Sequence, residues 1–154
     1  MKTKSNFRNV AAFGKRIEYW IIGLMLKEGL DVYIPLVDDH AVDAIVKRKD
    51  GSTALIQIKA RSRTADHAAL FAGIPHEEIR PDYWFIFYSE QMDSMWIMSS
   101  QEFIQEASQN KTGKNKGKYS ICFTRKERWS KYISKNKNFD RIAQNNSPDS
   151  FHLC

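Results

Sequence analysis

Val42-Asp-Ala-Ile-Val46, the tetrapeptide Lys49-Asp-Gly-Ser52 and the run Thr53-Ala-Leu-Ile-Gln-Ile-Lys-Ala60 form the stretch on which the fold turns. Two short runs of aliphatic residues parted by Asp-Gly read as a hairpin, because Asp-Gly accepts the positive φ angles that tight turns demand. The second run is apolar on both faces until Gln57 and Lys59, the pattern of a strand in the middle of a covered sheet. Side chains alternate along a strand, so Leu55, Gln57, Lys59 and Arg61 share one face, and Ile56, Ile58 and Ala60 the other. An amide and an ammonium at the end of an oily strand are costly to bury without partners. Asp43, on the preceding strand, is the nearest acid expected to face them. Two readings follow. Asp43 and Lys59 form an ion pair that closes the sheet end, with Gln57 a bystander, or all three build a polar centre.

Upstream, Ala12 to Glu28 reads as an amphipathic helix, with Phe13, Ile17, Trp20, Ile21 and Leu24 at the three-to-four spacing of one buried face and Gly29 as its stop. Asp31 to Leu36 reads as a short strand whose Pro35 suggests a sheet edge. Downstream, Thr64–Phe71 is expected to form a short helix, Asp82–Ser89 a buried strand, and Ser94–Met98 its partner through the Glu90–Asp93 turn. Ser99 or Ser100 is placed to cap a helix through Phe103 and Ala107, since Glu102 follows at capping-box distance. Gln109–Lys118 reads as a polar loop and Tyr119–Thr124 as a last strand. Trp129, Tyr132, Ile133, Phe139 and Ile142 mark a helical tail that packs through scattered aromatics. This order implies an α/β fold with a mixed central sheet flanked by helices. One domain is expected, with a core over about residues 12–124 and a basic helical tail over 125–154.

The chain has 154 residues, 42% of them hydrophobic and 12% aromatic, which is the composition of a globular protein rather than a disordered one. Its longest apolar run, Trp20–Leu26, is far short of a membrane span, and the N-terminus lacks the apolar stretch of a secretory signal, so a cytoplasmic location is expected. Cys122 and Cys154 make no disulfide framework, and His40, His67, His76 and His152 show no zinc spacing. The charge distribution is more telling. Of a net +6, the segment from Gln109 to Arg141 carries eleven Lys or Arg against Glu127 and Asp140, a local +9 that leaves −3 elsewhere. An electropositive last third suits a polyanion partner, although a solvated lysine-rich surface would read the same way. Within it, Lys111, Lys114, Lys116 and Lys118 sit among Gly and Asn in a loop suited to phosphate contacts without sequence readout. Arg125 and Lys126 extend the patch.

Asp43 followed by the strand end Ile56-Gln57-Ile58-Lys59, with the helix Gly14-Lys-Arg-Ile-Glu18 and Gly29 before it, resembles the core of the PD-(D/E)XK nuclease superfamily. The subgroup is the one in which Gln replaces the second acid, as among Holliday junction resolvases, Mrr-type enzymes and intron-encoded endonucleases. The resemblance covers roughly Ala12 to Arg61. It implies a restriction-endonuclease-like fold, a Mg²⁺ ion (Mn²⁺ as substitute) held by Asp43, the Gln57 amide oxygen, the Ile58 carbonyl and Glu18, and Lys59 beside the attacking water. It implies DNA phosphodiester hydrolysis, and a homodimer, since one small domain carries one centre. Arg61 and Arg63 follow the motif and are assigned to phosphate contacts. Val42 stands where the pattern has proline. Gln57 brings no charge, which keeps open a nucleic-acid-binding or assembly module that retains the fold without cutting, and an unrelated α/β protein with a chance motif also stays open. Glu18 has a second reading, a surface pair with Lys15. Asp38, Asp39 and His40 read as a solvated turn, or as a supply of one outer ligand. His67 and His76 read as loop or core histidines.

Overall fold

A computed structural model of the chain describes residues 12–37 and 39–144; the Lys126 side chain also lies outside the described part. The first helix, α1 (Phe13–Lys27), buries Ile21 and Met25 completely, each contributing roughly 1.5–3 kcal/mol. It ends in a Schellman motif: Gly29, at φ +90°, donates to Leu26 and Leu30 donates to Met25. Only a residue free of Cβ crowding adopts that φ cheaply, which is why the helix stops there.

After α1 come β1 (Asp31–Tyr33), β2 (Ala44–Lys47) and β3 (Thr53–Arg61), joined as an antiparallel meander. Gly51, at φ +87°, makes the β2–β3 turn. The chain then passes through β4 (Leu70–Ile74) to β5 (Tyr83–Ser89), which lies parallel to β3, and turns back into β6 (Ser94–Ser99). The main sheet therefore runs β1-β2-β3-β5-β6, mixed, with β3 in the centre and β1 at an edge. Ser99 caps α2 (Ser100–Glu106) through a complete capping box with Glu102. A second, antiparallel sheet runs β4-β8-β7, where β7 is Ser108–Gln109 and β8 is Tyr119–Cys122. The described chain closes with α3 (Lys126–Trp129), two 3-10 turns and α4 (Asp140–Ala143).

Two apolar clusters sandwich the main sheet. On one face Ile56, Ile58, Trp84 and Ile86 pack against α1 and against Phe139 and Ile142 of the C-terminal part. On the other, Tyr83, Phe85 and Phe87 pack against β4, β8, α2 and Trp129. Among the described residues, no helix is long and apolar enough to cross a membrane.

The stretch Thr64–Phe71, expected as a helix, is instead a turn that leads into β4. Phe71 and Ile74 of β4 are buried, and Phe71 packs edge-on against Phe87 and Phe123 at centroid distances of 5.0 and 5.9 Å. Pairing with β8, more than forty residues away, overrides the local preference. The second face is accordingly covered by a small sheet together with α2, and not by helices alone. The basic tail, as far as residue 144, consists of short helical turns, and its last ten residues lie outside the described part.

Candidate active site

Val42 packs into the second cluster and Ala44 into the first. Residues two apart in a regular strand share a face, so the chain must turn between them. It turns at Asp43, which is why β2 starts at Ala44 and not at Val42. Ala41, at φ +53°, prepares the turn in a left-handed conformation that costs a non-glycine residue roughly 1–2 kcal/mol. The Tyr83 hydroxyl, reaching over from β5, donates to the Ala41 carbonyl and helps to hold it.

The bend brings the Asp43 carboxylate to the edge of β3. Pairing with β2 begins at Ile56, and the Asp43 N–H donates to the Ile56 carbonyl at 2.8 Å. Beyond that point β3 is paired with β5 through Arg61, but its other edge runs on past the end of β2. The next N–H on that edge, Ile58, donates to Asp43 Oδ2 at 2.7 Å, so a side chain takes the place of the next rung. In a strand the N–H and C=O of one residue point to the same side. The Ile58 carbonyl therefore lies on the same edge as Asp43.

Gln57 and Lys59 project from β3 on the face of Leu55, toward the second cluster. Gln57 is buried, and its amide meets the Tyr83 hydroxyl at 2.8 Å. The Tyr83 ring packs in turn against the Arg80 guanidinium, 4.1 Å from its centroid, and against the stacked His76 ring at 5.3 Å. Lys59 is half-buried. Among the described residues no ion pair joins it to Asp43, so the sheet-end pair considered above is not formed there.

Glu18 accepts from Lys15 Nζ at 2.6 Å, the surface pair that its spacing allows. The Glu18 hydrogen bond raises the Lys15 pKa, and the Asp43 carboxylate adds to that rise, so Lys15 lies within the field of both acids. Arg61 shares the Gln57–Lys59 face and donates to the His67 carbonyl, while the Arg63 N–H donates to Glu90. Lys111, Lys114 and Lys116 are exposed and Lys118 partly so, on a β7–β8 connection folded by its own turn hydrogen bonds. That connection is anchored where Asn115 packs on Gly73. Arg125 is exposed at the start of α3; the Lys126 side chain and Asp38 fall outside the described residues. His40 and Asp39 are exposed, His67 is exposed in a loop, and His76 is a core residue bonded to Ser100 Oγ at 2.6 Å.

One solved structure aligns over most of this architecture, a bacterial homing endonuclease, I-Ssp6803I, with a TM-score of 0.56 over 82% of this chain and 89% of that one, at 16% identity. The chain has a nuclease-like fold. No family model and no curated protein matches the sequence.

At the β3 edge the Asp43 carboxylate and the Ile58 carbonyl lie together, with the Gln57 amide on the adjoining face and Glu18 held by Lys15. Among the described residues no group of three or more His, Cys, Asp or Glu is placed to hold a metal ion. A hard divalent ion that keeps several of its own waters fits this set. Tyr83 is the participant that sequence reading missed. Its place among the aromatics of β5 reads as core packing, and the signal that distinguishes it is a phenolic oxygen that needs a partner once buried.

Proposed function

We propose that this chain is a Mg²⁺-dependent endonuclease that hydrolyses DNA phosphodiesters. The observation that carries the reading is the substitution of the Asp43 carboxylate for a sheet rung at the edge of β3, beside Gln57, the Ile58 carbonyl and Lys59. The likeness to a homing endonuclease supports it at the level of the fold. Asp43 and the Ile58 carbonyl would hold Mg²⁺, with the Gln57 oxygen as a neutral third donor and Glu18 as a further one. The bound ion lowers the pKa of its water and offsets charge on the scissile phosphate. Lys59, half-buried and beside that edge, positions the attacking water and counters the charge that develops on the phosphate oxygens. Arg61, Arg63, Arg125, Lys126 and the lysines at 111, 114, 116 and 118 contact the DNA backbone, which accounts for the positive last third.

One centre per chain cuts one strand, so the working unit on a duplex is a two-fold dimer. Tyr33 at the end of the edge strand β1, and Ile34, Leu36 and Val37 after it, are exposed apolar side chains, Leu36 wholly so, and would supply the contact.

A plasmid-cleavage assay tests the reading. Mg²⁺-dependent nicking is expected, and Lys59→Ala is expected to reduce it by about a hundredfold or more. Salt-sensitive DNA binding with no cleavage in Mg²⁺ or Mn²⁺ would replace this reading with that of a non-cutting binding module, which the neutral Gln57 favours.

A further inference from the structure

Among the described residues, the Tyr83 hydroxyl faces two acceptors, the Ala41 carbonyl and Gln57 Oε1. A phenol has one proton to give, whereas a peptide carbonyl can only accept. Only Gln57 can adapt, because its amide carries an acceptor at one end and a donor of nearly the same size at the other. All three groups are satisfied together when Tyr83 donates to Ala41 and Gln57 Nε2 donates to the Tyr83 oxygen. A half-turn of the amide about its last bond achieves this and carries Oε1 to the side away from Tyr83.

We propose that Tyr83 is a positioning residue, orienting the Gln57 amide so that its nitrogen faces the phenol and its oxygen is presented to a cation held by Asp43. This rests on the nuclease reading above. It explains how a residue with no charge can serve as a ligand: an amide nitrogen does not bind a hard cation, so a freely rotating amide would offer its wrong end much of the time. The phenol is itself immobile. Tyr83 is 1% exposed, its ring packs against the Arg80 guanidinium and the His76 ring, and its hydroxyl is bonded to the Ala41 carbonyl. The bend itself is set by Val42 and Ala44 packing into opposite clusters, so the separate effect of the phenol falls on the amide. A carboxylate at position 57 would need no such device, since both its ends are oxygen.

The test uses the full chain and Mn²⁺ as the probe, with binding measured by electron paramagnetic resonance in the absence of DNA. Tyr83→Phe is expected to weaken Mn²⁺ binding about tenfold, the usual cost of removing a group that orients a ligand. In a Gln57→Glu background the same change is expected to alter binding less than about twofold. An equal loss in both backgrounds, or no loss in either, overturns the proposal. A second readout needs no metal. In protein labelled with ¹⁵N-glutamine, the Gln57 side-chain NH₂ is expected to show cross-peaks to the Tyr83 ring protons, and slow solvent exchange that Tyr83→Phe accelerates. Amide protons without contact to Tyr83 overturn the orientation whether or not Mn²⁺ binds. A wild-type protein with the cross-peaks but no Mn²⁺ binding supports the orientation and refutes the nuclease reading instead.

Discussion

Acidification should loosen the core behind the site before it touches the surface, and His76 is the reason. Its ring is 5% exposed, enclosed by Tyr83, Phe85 and Phe103, and burial with the nearby Arg80 charge pushes its pKa from 6.5 down to about 4. The hydrogen bonds agree. Ser100 Oγ accepts from the Arg80 N–H and meets His76 Nε2 at 2.6 Å, a pairing that a neutral imidazole satisfies in either tautomer. Because the folded value lies below the unfolded one, the unfolded chain takes up a proton first as pH falls, and stability is lost from about pH 6.5 downward. The loss amounts to about 2 kcal/mol at pH 5 and about 3 kcal/mol at pH 4. Urea unfolding followed by tryptophan fluorescence at pH 7.5, 6, 5 and 4.5 measures it, and His76→Gln isolates it from the carboxylates, which titrate in both proteins. The wild-type curve is expected to fall away more steeply than that of the variant between pH 6.5 and 4.5. Two curves that run parallel over that interval would refute the argument.

Asp43→Asn keeps an oxygen for the Ile58 N–H and is expected to abolish Mn²⁺ binding with little change in melting temperature. Asp43→Ala strands that N–H and should cost about 1–2 kcal/mol as well, measured by urea denaturation. Arg48 is 6% exposed and joins the Ile142 carbonyl, Ser52 and Asp82. Arg48→Met is expected to destabilise the fold by about 1–2 kcal/mol, chiefly by leaving the buried Ile142 carbonyl without its donor; calorimetry would register no shift if the Arg48 bonds were incidental. Replacing Lys111, Lys114, Lys116 and Lys118 together by alanine should reduce the slope of log binding constant against log salt by about 2 to 4 on duplex DNA. An unchanged slope would remove the loop from the interface.

What could be read from the residues was what local chemistry dictates. Helix α1 ends where Gly29 permits, the Asp50-Gly51 turn joins β2 to β3, and the oily run through Ile58 is indeed the central strand. The Ser99–Glu102 box fixed the start of α2 for the same reason. The β4-β8-β7 sheet was illegible, because Leu70–Ile74 becomes a strand only through a distant partner, and a five-residue apolar stretch looks alike in helix and strand. At the site, alternation placed Gln57 and Lys59 on one face. It could not foresee that Asp43 leaves the strand, since a bend driven by Val42 packing into one cluster and Ala44 into the other is a tertiary event. The Tyr83 contacts to Gln57 and Ala41 were equally hidden, because those residues lie 26 and 42 positions away.

The rung that Asp43 replaces also makes the sheet a ruler. Hydrogen-bonded strands keep a spacing of about 4.8 Å, and a carboxylate bound to Ile58 N–H inherits that spacing from the backbone rather than from its own rotamer. Adjustment at this place is therefore stepwise. One residue inserted between Ala41 and Ala44 shifts the acid to another N–H or off the edge altogether, whereas the loops farther out can vary in length and sequence without moving it.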